Sequence, residues 1–172
     1  MLISEDYRQL NADLHETGKY GQWGYREADN VRRLIKKYGC NNMLDYGAGN
    51  GTLSLRMPIP CHNYDPALPF YADEPPLAKF DLVNCGDVLE HIEPEYLDNV
   101  LAHIKSYVGK VAYFVIATAP DGTKTLPDGR DPHLIVQDGS WWINKIENYF
   151  EVVDCWNLKR DAIAIECINP EE

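Results

Sequence analysis

The stretch "MLDYGAGNGTLSL", residues 43–55, decides the fold of this chain. An apolar segment runs into Asp45 and is followed by glycine at alternate positions, Gly47, Gly49 and Gly51. Glycine lets the backbone turn sharply and lets another group approach where a Cβ would collide. A strand that ends in such a turn and leads into a helix is typical of a doubly wound α/β sheet, whose ligands bind beyond the carboxyl ends of the strands. The pattern therefore predicts a ligand site at this turn.

The glycine spacing argues against a dinucleotide as that ligand. The dinucleotide fingerprint is G-x-G-x-x-G, whereas the spacing here is G-x-G-x-G. The carboxylate of Asp45, two residues before the first glycine, would repel a pyrophosphate and attract a cationic or amine-bearing ligand. An ordinary tight turn between a strand and a helix remains the alternative interpretation.

The rest of the chain alternates between helical and strand patterns. Helices are predicted at residues 30–38, 93–108 and 138–150, and strands at 43–45, 61–65, 79–86, 110–118, 150–156 and 162–168. Any helix that begins after the glycines must end early because Pro58 and Pro60 follow. The strand at 110–118 is apolar almost throughout, which indicates a parallel sheet covered by helices on both faces. The order predicts a doubly wound α/β sheet with a C-terminal antiparallel hairpin.

Composition limits the function classes. We expect 172 residues to form one domain, residues 1–172, with 16 basic and 27 acidic side chains and a formal net charge of −11. This balance makes nucleic acid an unlikely partner and favours small molecules. The chain shows neither a signal peptide nor a membrane-spanning segment, so a cytoplasmic protein is expected. The five scattered cysteines predict neither disulfides nor a zinc site, and the sequence does not indicate an oligomeric state.

Three motifs, in order along the chain, resemble those of class I S-adenosylmethionine-dependent methyltransferases. They are "LDYGAGNGTLSL", "NYDP" and "FDLVNCGDVLEHI", at residues 44–55, 63–66 and 80–92, and the last is similar to the quinone-biosynthesis-like branch. The resemblance implies a Rossmann-like methyltransferase sheet, S-adenosylmethionine as cofactor and S-adenosylhomocysteine as product. The residues that it implies for cofactor binding are Asp45, Gly47, Ala48, Gly49, Asn50, Gly51, Asp65, Pro66, Cys85, Gly86, Asp87, Val88 and His91.

Individual motif residues also have purely structural interpretations. The resemblance implies that Asp65 accepts hydrogen bonds from the ribose hydroxyls, but a helix N-cap or an Asx turn would equally explain an Asp before Pro66. Asp87, Glu90 and His91 could belong to the first turn of a helix, where acidic residues are favoured. Because Asp87 and His91 lack the Glu-x-x-His spacing of the family's metal-dependent members, we expect no metal.

One segment departs from the family pattern. The family has a helix and a further strand between the ribose-binding acid and the next strand, but this chain has only the proline-rich "PALPFYADEPPLAK", residues 66–79. Prolines disrupt helices and central strands, so we expect the third strand and its helix to be reduced or missing, leaving about six strands. The missing wall of the adenine pocket could then come from Phe70 or Tyr71 stacking on the base, with Asp73 facing its amine.

Candidate catalytic residues lie in the loop after the strand at 110–118. His133 could act as a general base with Asp131 as its partner, because imidazole titrates near neutral pH; a solvated surface loop is the alternative. This segment, "GRDPHLIVQDGSWW", resembles small, poorly characterised methyltransferases, some of them from phage. Related enzymes cap the cofactor with an N-terminal segment, which implies a role for Tyr20 and Trp23, or else these aromatic residues pack within an N-terminal helix.

Three functions remain open from the sequence. The first is methyl transfer to a small-molecule or saccharide acceptor. The second is a non-catalytic S-adenosylmethionine-binding module that supports a partner. The third is a protein or nucleic-acid methyltransferase, which would need a basic acceptor surface or an Asn/Asp-Pro-Pro-aromatic motif that holds an amine. The strand end "NCGDV" lacks that motif, so adenine-N6 chemistry is disfavoured.

Overall fold

The computed structural model describes residues 1–18, 20–22 and 24–170. The helices are α1 (Glu5–Glu16), α2 (Ala28–Tyr38), α3 (Leu97–Tyr107) and α4 (Gly139–Glu147), and short 3-10 turns lie at Gly24–Glu27, Ser54–Arg56, Leu89–His91 and Pro94–Tyr96. The strands are β1 (Met43–Tyr46), β2 (Cys61–Tyr64), β3 (Phe80–Gly86), β4 (Val108–Ala117), β5 (Glu151–Leu158) and β6 (Ala162–Ile168). None of the helices in these described ranges has the length and apolar character that a bilayer crossing requires.

The strands form one mixed sheet in the order β2-β1-β3-β4-β6-β5. β1 to β4 are mutually parallel, and β6 pairs antiparallel with both β4 and β5. The doubly wound α/β fold with a C-terminal antiparallel hairpin is therefore confirmed. The carboxyl ends of β1, β2, β3 and β4 all lie at one edge, which is where a sheet of this kind binds ligands.

Side-chain alternation along the strands builds two cores. One is formed by Val31 and Leu34 of α2 against Met43 and Leu82, and the other includes Leu44 with residues of α3 and α4. Successive side chains of a strand point to opposite faces, so β1 contributes to both cores from neighbouring residues. Gly39 ends α2 in the left-handed conformation, with φ 58°.

The connection from β2 to β3 contains no helix or strand in the described chain, as the prolines of this segment predicted. The sheet has six strands, with β2 and β5 at its two edges. The connection from β1 to β2 contains only the 3-10 turn Ser54–Arg56, followed at once by Met57 and Pro58 in the chain.

Helix α1 was not predicted from the sequence. Ser4 caps it, because its hydroxyl accepts the N–H of Tyr7 at 3.2 Å. Tyr7 and Leu14 pack against Leu126 in the loop that follows β4. The N-cap serine and the apolar residues at helical spacing were signals that could have revealed it.

Candidate functional site

A cavity of about 720 Å³ lies at the carboxyl ends of the parallel strands. Its walls come from the turn after β1, from residues 65–67 after β2, from the ends of β3 and β4 with their loops, and from α1. This volume falls within the range of small-molecule sites. The ligand site predicted at the glycine turn therefore coincides with a cavity.

The glycine turn requires glycine at two positions for steric reasons. Gly47 has φ 77° and Gly49 has φ 51°, values that residues with a Cβ rarely adopt. A Cβ on Gly49 would lie 2.9 Å from the Cα of Gly21 and closer still to the Gly21 carbonyl oxygen. A Cβ on Gly47 would collide with the side chain of Val88. The turn is thus packed against the N-terminal segment on one side and against the β3 loop on the other.

Asp65 connects this turn to the end of β2. Its buried carboxylate accepts the N–H of Gly49 at 2.9 Å and the N–H of Ala67 at 3.0 Å. The bond from the Ala67 N–H forms an Asx turn, which was one of the structural interpretations of this Asp. Asp65 also lines the cavity. Burial raises the pKa of Asp65, against the lowering effects of His15 and of the two N–H groups. The side chain therefore holds the shape of the turn and also borders the cavity.

Asp45 and Asn84 form a buried polar pair in the cavity wall. The Asn84 amide donates to Asp45 at 2.7 Å, while the Asn84 side-chain oxygen has no hydrogen-bond partner among the described residues. Burial raises the pKa of Asp45 to about 6, although the bond from Asn84 lowers it. A buried acceptor without a donor is costly. This pair is therefore suited to an amine-bearing ligand.

The loop after β3 supplies a third wall. Gly86, Asp87, Val88 and His91 line the cavity. Asp87 adopts φ 54°, an uncommon value for a residue with a side chain, and pairs with Arg160 at 3.5 Å. Strained residues of this kind concentrate at functional sites.

Most of the predicted cofactor residues meet at the cavity. Those that line it are Tyr20, Asp45, Gly47, Ala48, Gly49, Asp65, Pro66, Gly86, Asp87, Val88 and His91. Trp23 lies outside the described residues.

Three of the predicted residues lie outside the cavity lining and need correction. Cys85 is fully buried in the core under α3 and α4, because it follows Asn84 and so points to the opposite face of the sheet. Asn50 is exposed, and its backbone N–H donates to the Gly21 carbonyl at 2.9 Å. Gly51 is buried against Asn63 and Tyr71 behind the turn.

The cavity lining gives no support to the predicted adenine wall from residues 70–73. Phe70 is 76% exposed, and neither Phe70 nor Tyr71 nor Asp73 belongs to the described cavity lining. The backbone of Tyr71 instead accepts the N–H of Asp65 at 2.9 Å, which folds the segment over the outside of the turn. Pro66 and Ala67 provide the wall at this end.

His133 lies at the cavity, but the predicted His133–Asp131 side-chain pair does not form. Asp131 accepts the backbone N–H of His133 at 2.8 Å, and it does not line the cavity. The imidazole Nδ1 of His133 instead bonds the carbonyl of Ala119 at 2.6 Å. Burial opposes ionisation of Asp131, yet hydrogen bonds from backbone N–H groups hold its pKa below the usual value. Asp131 thus stabilises the loop rather than orienting the imidazole.

Glu90 and His91 lie beside His133. Glu90 is fully buried, and its Oε1 accepts the N–H of Ala117 at 2.9 Å. Burial, reinforced by Asp87, raises the pKa of Glu90 to about 8. His91 contacts the Pro132 carbonyl through Nδ1 at 2.9 Å, and burial lowers its pKa to about 3. The hydroxyl of Tyr20 lies 3.0 Å from the same Nδ1.

Several cavity residues were not predicted. They include His15, Asn84, Glu90, Lys124 and Arg160. Asn84 and Glu90 had an available signal, because both belong to the motif at residues 80–92, which crosses the ligand edge of the sheet. The others depend on α1, the β4 loop and the β5–β6 turn folding over the sheet.

Comparisons with known proteins find solved structures that share this fold. No protein-family model and no curated protein matches the chain. Among solved structures, 1,6-didemethyltoxoflavin-N1-methyltransferase from Burkholderia thailandensis, with S-adenosylhomocysteine bound, is similar at TM-score 0.71 and 17% identity, covering 94% of this chain and 86% of that one. Magnesium protoporphyrin IX methyltransferase from Synechocystis PCC 6803, also with S-adenosylhomocysteine, is similar at TM-score 0.60 and 19% identity, covering 85% and 84%.

A third structure, a DhpI–S-adenosylhomocysteine complex, is similar at TM-score 0.66 and 14% identity, over 96% of this chain and 97% of that one. The fold of this chain is the class I S-adenosylmethionine-dependent methyltransferase fold, as its motifs implied. At these identities the likeness establishes the fold, and the activity has to be argued from the site itself.

Proposed function

We propose that this chain binds S-adenosylmethionine and transfers its methyl group to a small-molecule acceptor. The observation that carries the proposal is the convergence of the Gly47–Gly49 turn, buried Asp65 and the Asp45–Asn84 pair on one cavity at the ligand edge of the sheet. The similar solved structures that contain S-adenosylhomocysteine support the same cofactor.

The cavity residues fit the chemistry of this cofactor. The carboxylate of Asp65 keeps acceptor capacity after binding two N–H groups, which suits ribose hydroxyls. Asp45 and the unbonded side-chain oxygen of Asn84 suit the ammonium of the methionine part. Gly47 and Gly49 let the turn pack closely against Val88 and Gly21, and both glycines line the cavity.

The reaction needs little covalent chemistry from the protein. When bound, S-adenosylmethionine supplies a methyl group on a sulfonium, which is a good leaving group. The remaining tasks of the protein are to position the acceptor, exclude water and accept the acceptor's proton. His133 is our candidate for the last task. Its Nδ1 faces a carbonyl and therefore carries the hydrogen, which leaves Nε2 as the basic nitrogen.

The proposed acceptor is a small molecule or a saccharide hydroxyl. Residues of α1 and of the β4 loop enclose the cavity, which favours a compact acceptor over a polymer. The net charge of −11 opposes the approach of nucleic acid. The porphyrin and toxoflavin named for two of the similar structures belong to those proteins, and they support only the general class of acceptor.

Calorimetric titration with S-adenosylmethionine and S-adenosylhomocysteine tests the cofactor. Methyl transfer from labelled S-adenosylmethionine to pooled small molecules and saccharides then tests the reaction. Cofactor binding with turnover supports the proposal. Binding without turnover on any pool would favour a non-catalytic binding module, and no binding would refute the proposal as a whole.

Substitution of His133 by alanine should abolish turnover and leave cofactor affinity within about twofold. The imidazole lies at the cavity but makes none of the contacts that shape the glycine turn. Loss of a proton-accepting group typically slows a reaction by about 10²–10⁴-fold. Single-turnover assays and calorimetry measure the two effects separately. The matched control is His62→Ala, which removes an exposed histidine of the edge strand; equal loss of activity in both variants would contradict the role of His133.

Cofactor affinity should rise with pH between about 5 and 7. The pKa of Asp45 is raised to about 6 by burial, so the carboxyl is largely neutral at pH 5 and ionised at pH 7. Only the ionised form of Asp45 attracts the ligand's ammonium group, and the resulting gain in affinity is at most about tenfold per pH unit. Calorimetry with S-adenosylhomocysteine across this range measures it. Asp45→Asn should bind more weakly and show a flat profile, whereas a parallel slope in both proteins would contradict the assignment.

A further inference from the structure

We infer that Glu90, His91 and His133 form a binding site for a divalent transition-metal ion in the wall of the cavity. Each residue offers one ligand atom, and the three atoms lie within 4.8 Å of one another. They come from two segments well separated in the chain, the turn after β3 and the loop after β4. The sequence predicted no metal, because the spacing of residues along the chain does not reveal this convergence.

Hydrogen bonds to backbone carbonyls prepare both histidines as ligands. The Nδ1 atoms of His91 and His133 lie 2.9 and 2.6 Å from the carbonyls of Pro132 and Ala119. A carbonyl only accepts, so in the tautomer that forms these two bonds each Nδ1 carries the hydrogen and each Nε2 presents a lone pair. The Tyr20 hydroxyl lies 3.0 Å from Nδ1 and 3.5 Å from Nε2 of His91, and it is able to accept from Nδ1 in the same tautomer. Metal-binding histidines are commonly fixed in this way, with one ring nitrogen donating and the other ligating.

Glu90 supplies an independent observation that points to a cation. Its side chain is fully buried, and its Oε2 has no hydrogen-bond partner in the described part of the chain. Oε1 is held by the N–H of Ala117, which fixes the direction of the carboxylate. A buried carboxylate oxygen without a donor is expensive unless a cation or a proton occupies it.

The donor set selects the class of ion. Two imidazoles and one carboxylate suit zinc, cobalt, manganese or iron, whereas magnesium and calcium prefer oxygen ligands alone. Donor atoms of a tetrahedral zinc site lie about 3.3 Å apart, given bond lengths near 2.0–2.1 Å. The three ligand atoms already lie within 4.8 Å of one another, so an ion would require them to approach by at most about 1.5 Å. Three protein ligands leave a coordination position open, as in catalytic metal sites.

An ion here would change the role of His133. All three ligands line the cavity, so the open position would be accessible to an oxygen of the acceptor. A bound cation lowers the pKa of such an oxygen, and Nε2 of His133 would then act as a ligand and not as a base. This consequence rests on the proposed methyl transfer, whereas metal binding itself does not.

Titration of tag-free, chelator-treated protein with Co²⁺, followed by calorimetry and visible absorption, tests the site. The wild-type protein should bind one Co²⁺ and develop the ligand-field bands of a nitrogen- and oxygen-ligated ion. His133→Ala and Glu90→Gln should each weaken binding by at least about 30-fold, because each removes one of only three ligands. His62→Ala should bind as the wild type does.

The outcomes separate this inference from the proposed function. Glu90→Gln keeps the acceptor for the Ala117 N–H, so retained S-adenosylhomocysteine binding by this variant would show that its loss of Co²⁺ does not reflect unfolding. Co²⁺ binding by a wild-type protein that does not bind S-adenosylhomocysteine would support the metal site and refute the cofactor proposal. No stoichiometric Co²⁺ binding, or binding unchanged in both variants, would overturn the metal site.

Discussion

Replacing Gly49 by alanine is expected to weaken S-adenosylhomocysteine binding by at least about 30-fold, or about 2 kcal/mol. The added Cβ would lie 2.9 Å from the Cα of Gly21 and nearer still to its carbonyl oxygen, so the turn or the N-terminal segment has to move. That movement would also displace the Gly49 N–H from Asp65, which now accepts it at 2.9 Å. Calorimetry measures the loss.

Gly39→Ala provides the matched control for Gly49→Ala. Gly39 has a similar φ of 58°, but nothing lies within 4 Å of an added Cβ. It should lose about 1 kcal/mol of folding stability through backbone strain and keep its cofactor affinity. If Gly39→Ala and Gly49→Ala bind S-adenosylhomocysteine equally well, the close contact between Gly49 and Gly21 does not determine the shape of the site.

Replacing Asp65 by asparagine is expected to lower cofactor affinity by about 100-fold. The amide keeps the size of the side chain but removes its charge and one of its two acceptor oxygens. Since these oxygens accept the N–H groups of Gly49 and Ala67, one of the two N–H groups loses its acceptor and the ligand loses a charged partner. Hydrogen bonds to a charged group contribute about 1.5–3 kcal/mol each. Calorimetry and thermal denaturation with and without S-adenosylhomocysteine measure the effect on binding and on folding.

Asp73→Asn is the control for Asp65→Asn. Asp73 belongs to the same connection between β2 and β3 but is exposed and lies outside the cavity lining. Loss of the Asp73 charge should leave the affinity for S-adenosylhomocysteine unchanged. A large loss at Asp73 with little loss at Asp65 would place the ligand on the outer side of the glycine turn and would restore the adenine wall predicted from residues 70–73.

The metal inference and the cofactor proposal use different parts of one cavity. Asp45, Asp65 and the glycine turn lie at the ends of β1 and β2, whereas Glu90 and the two histidines lie beyond β3 and β4. Since β3 is the neighbour of both β1 and β4, the two groups of residues are adjacent across the sheet edge. Under the two proposals, the methyl-donor site would lie beside the acceptor site, as group transfer requires.

The sequence by itself determined the features that depend on neighbouring residues. Alternation along the strands, the glycine at the end of α2 and the prolines between β2 and β3 all act through local backbone geometry, so the six-stranded doubly wound sheet was predictable. The positions of Gly49 and Asp65 were also predictable, because Gly49 lies in the turn after β1 and Asp65 directly follows β2, and both strands end at the ligand edge.

The tertiary structure decided which side chains meet at the cavity, because these contacts depend on the paths of the loops. Asp131 is next but one to His133 in sequence, yet the imidazole bonds Ala119, because the loop after β4 folds back on its own beginning. The same path brings His133 to Glu90 and His91. Residues far apart in sequence come into contact only when the folded core fixes the loops between them. Local periodicity and propensity carry no information about such contacts.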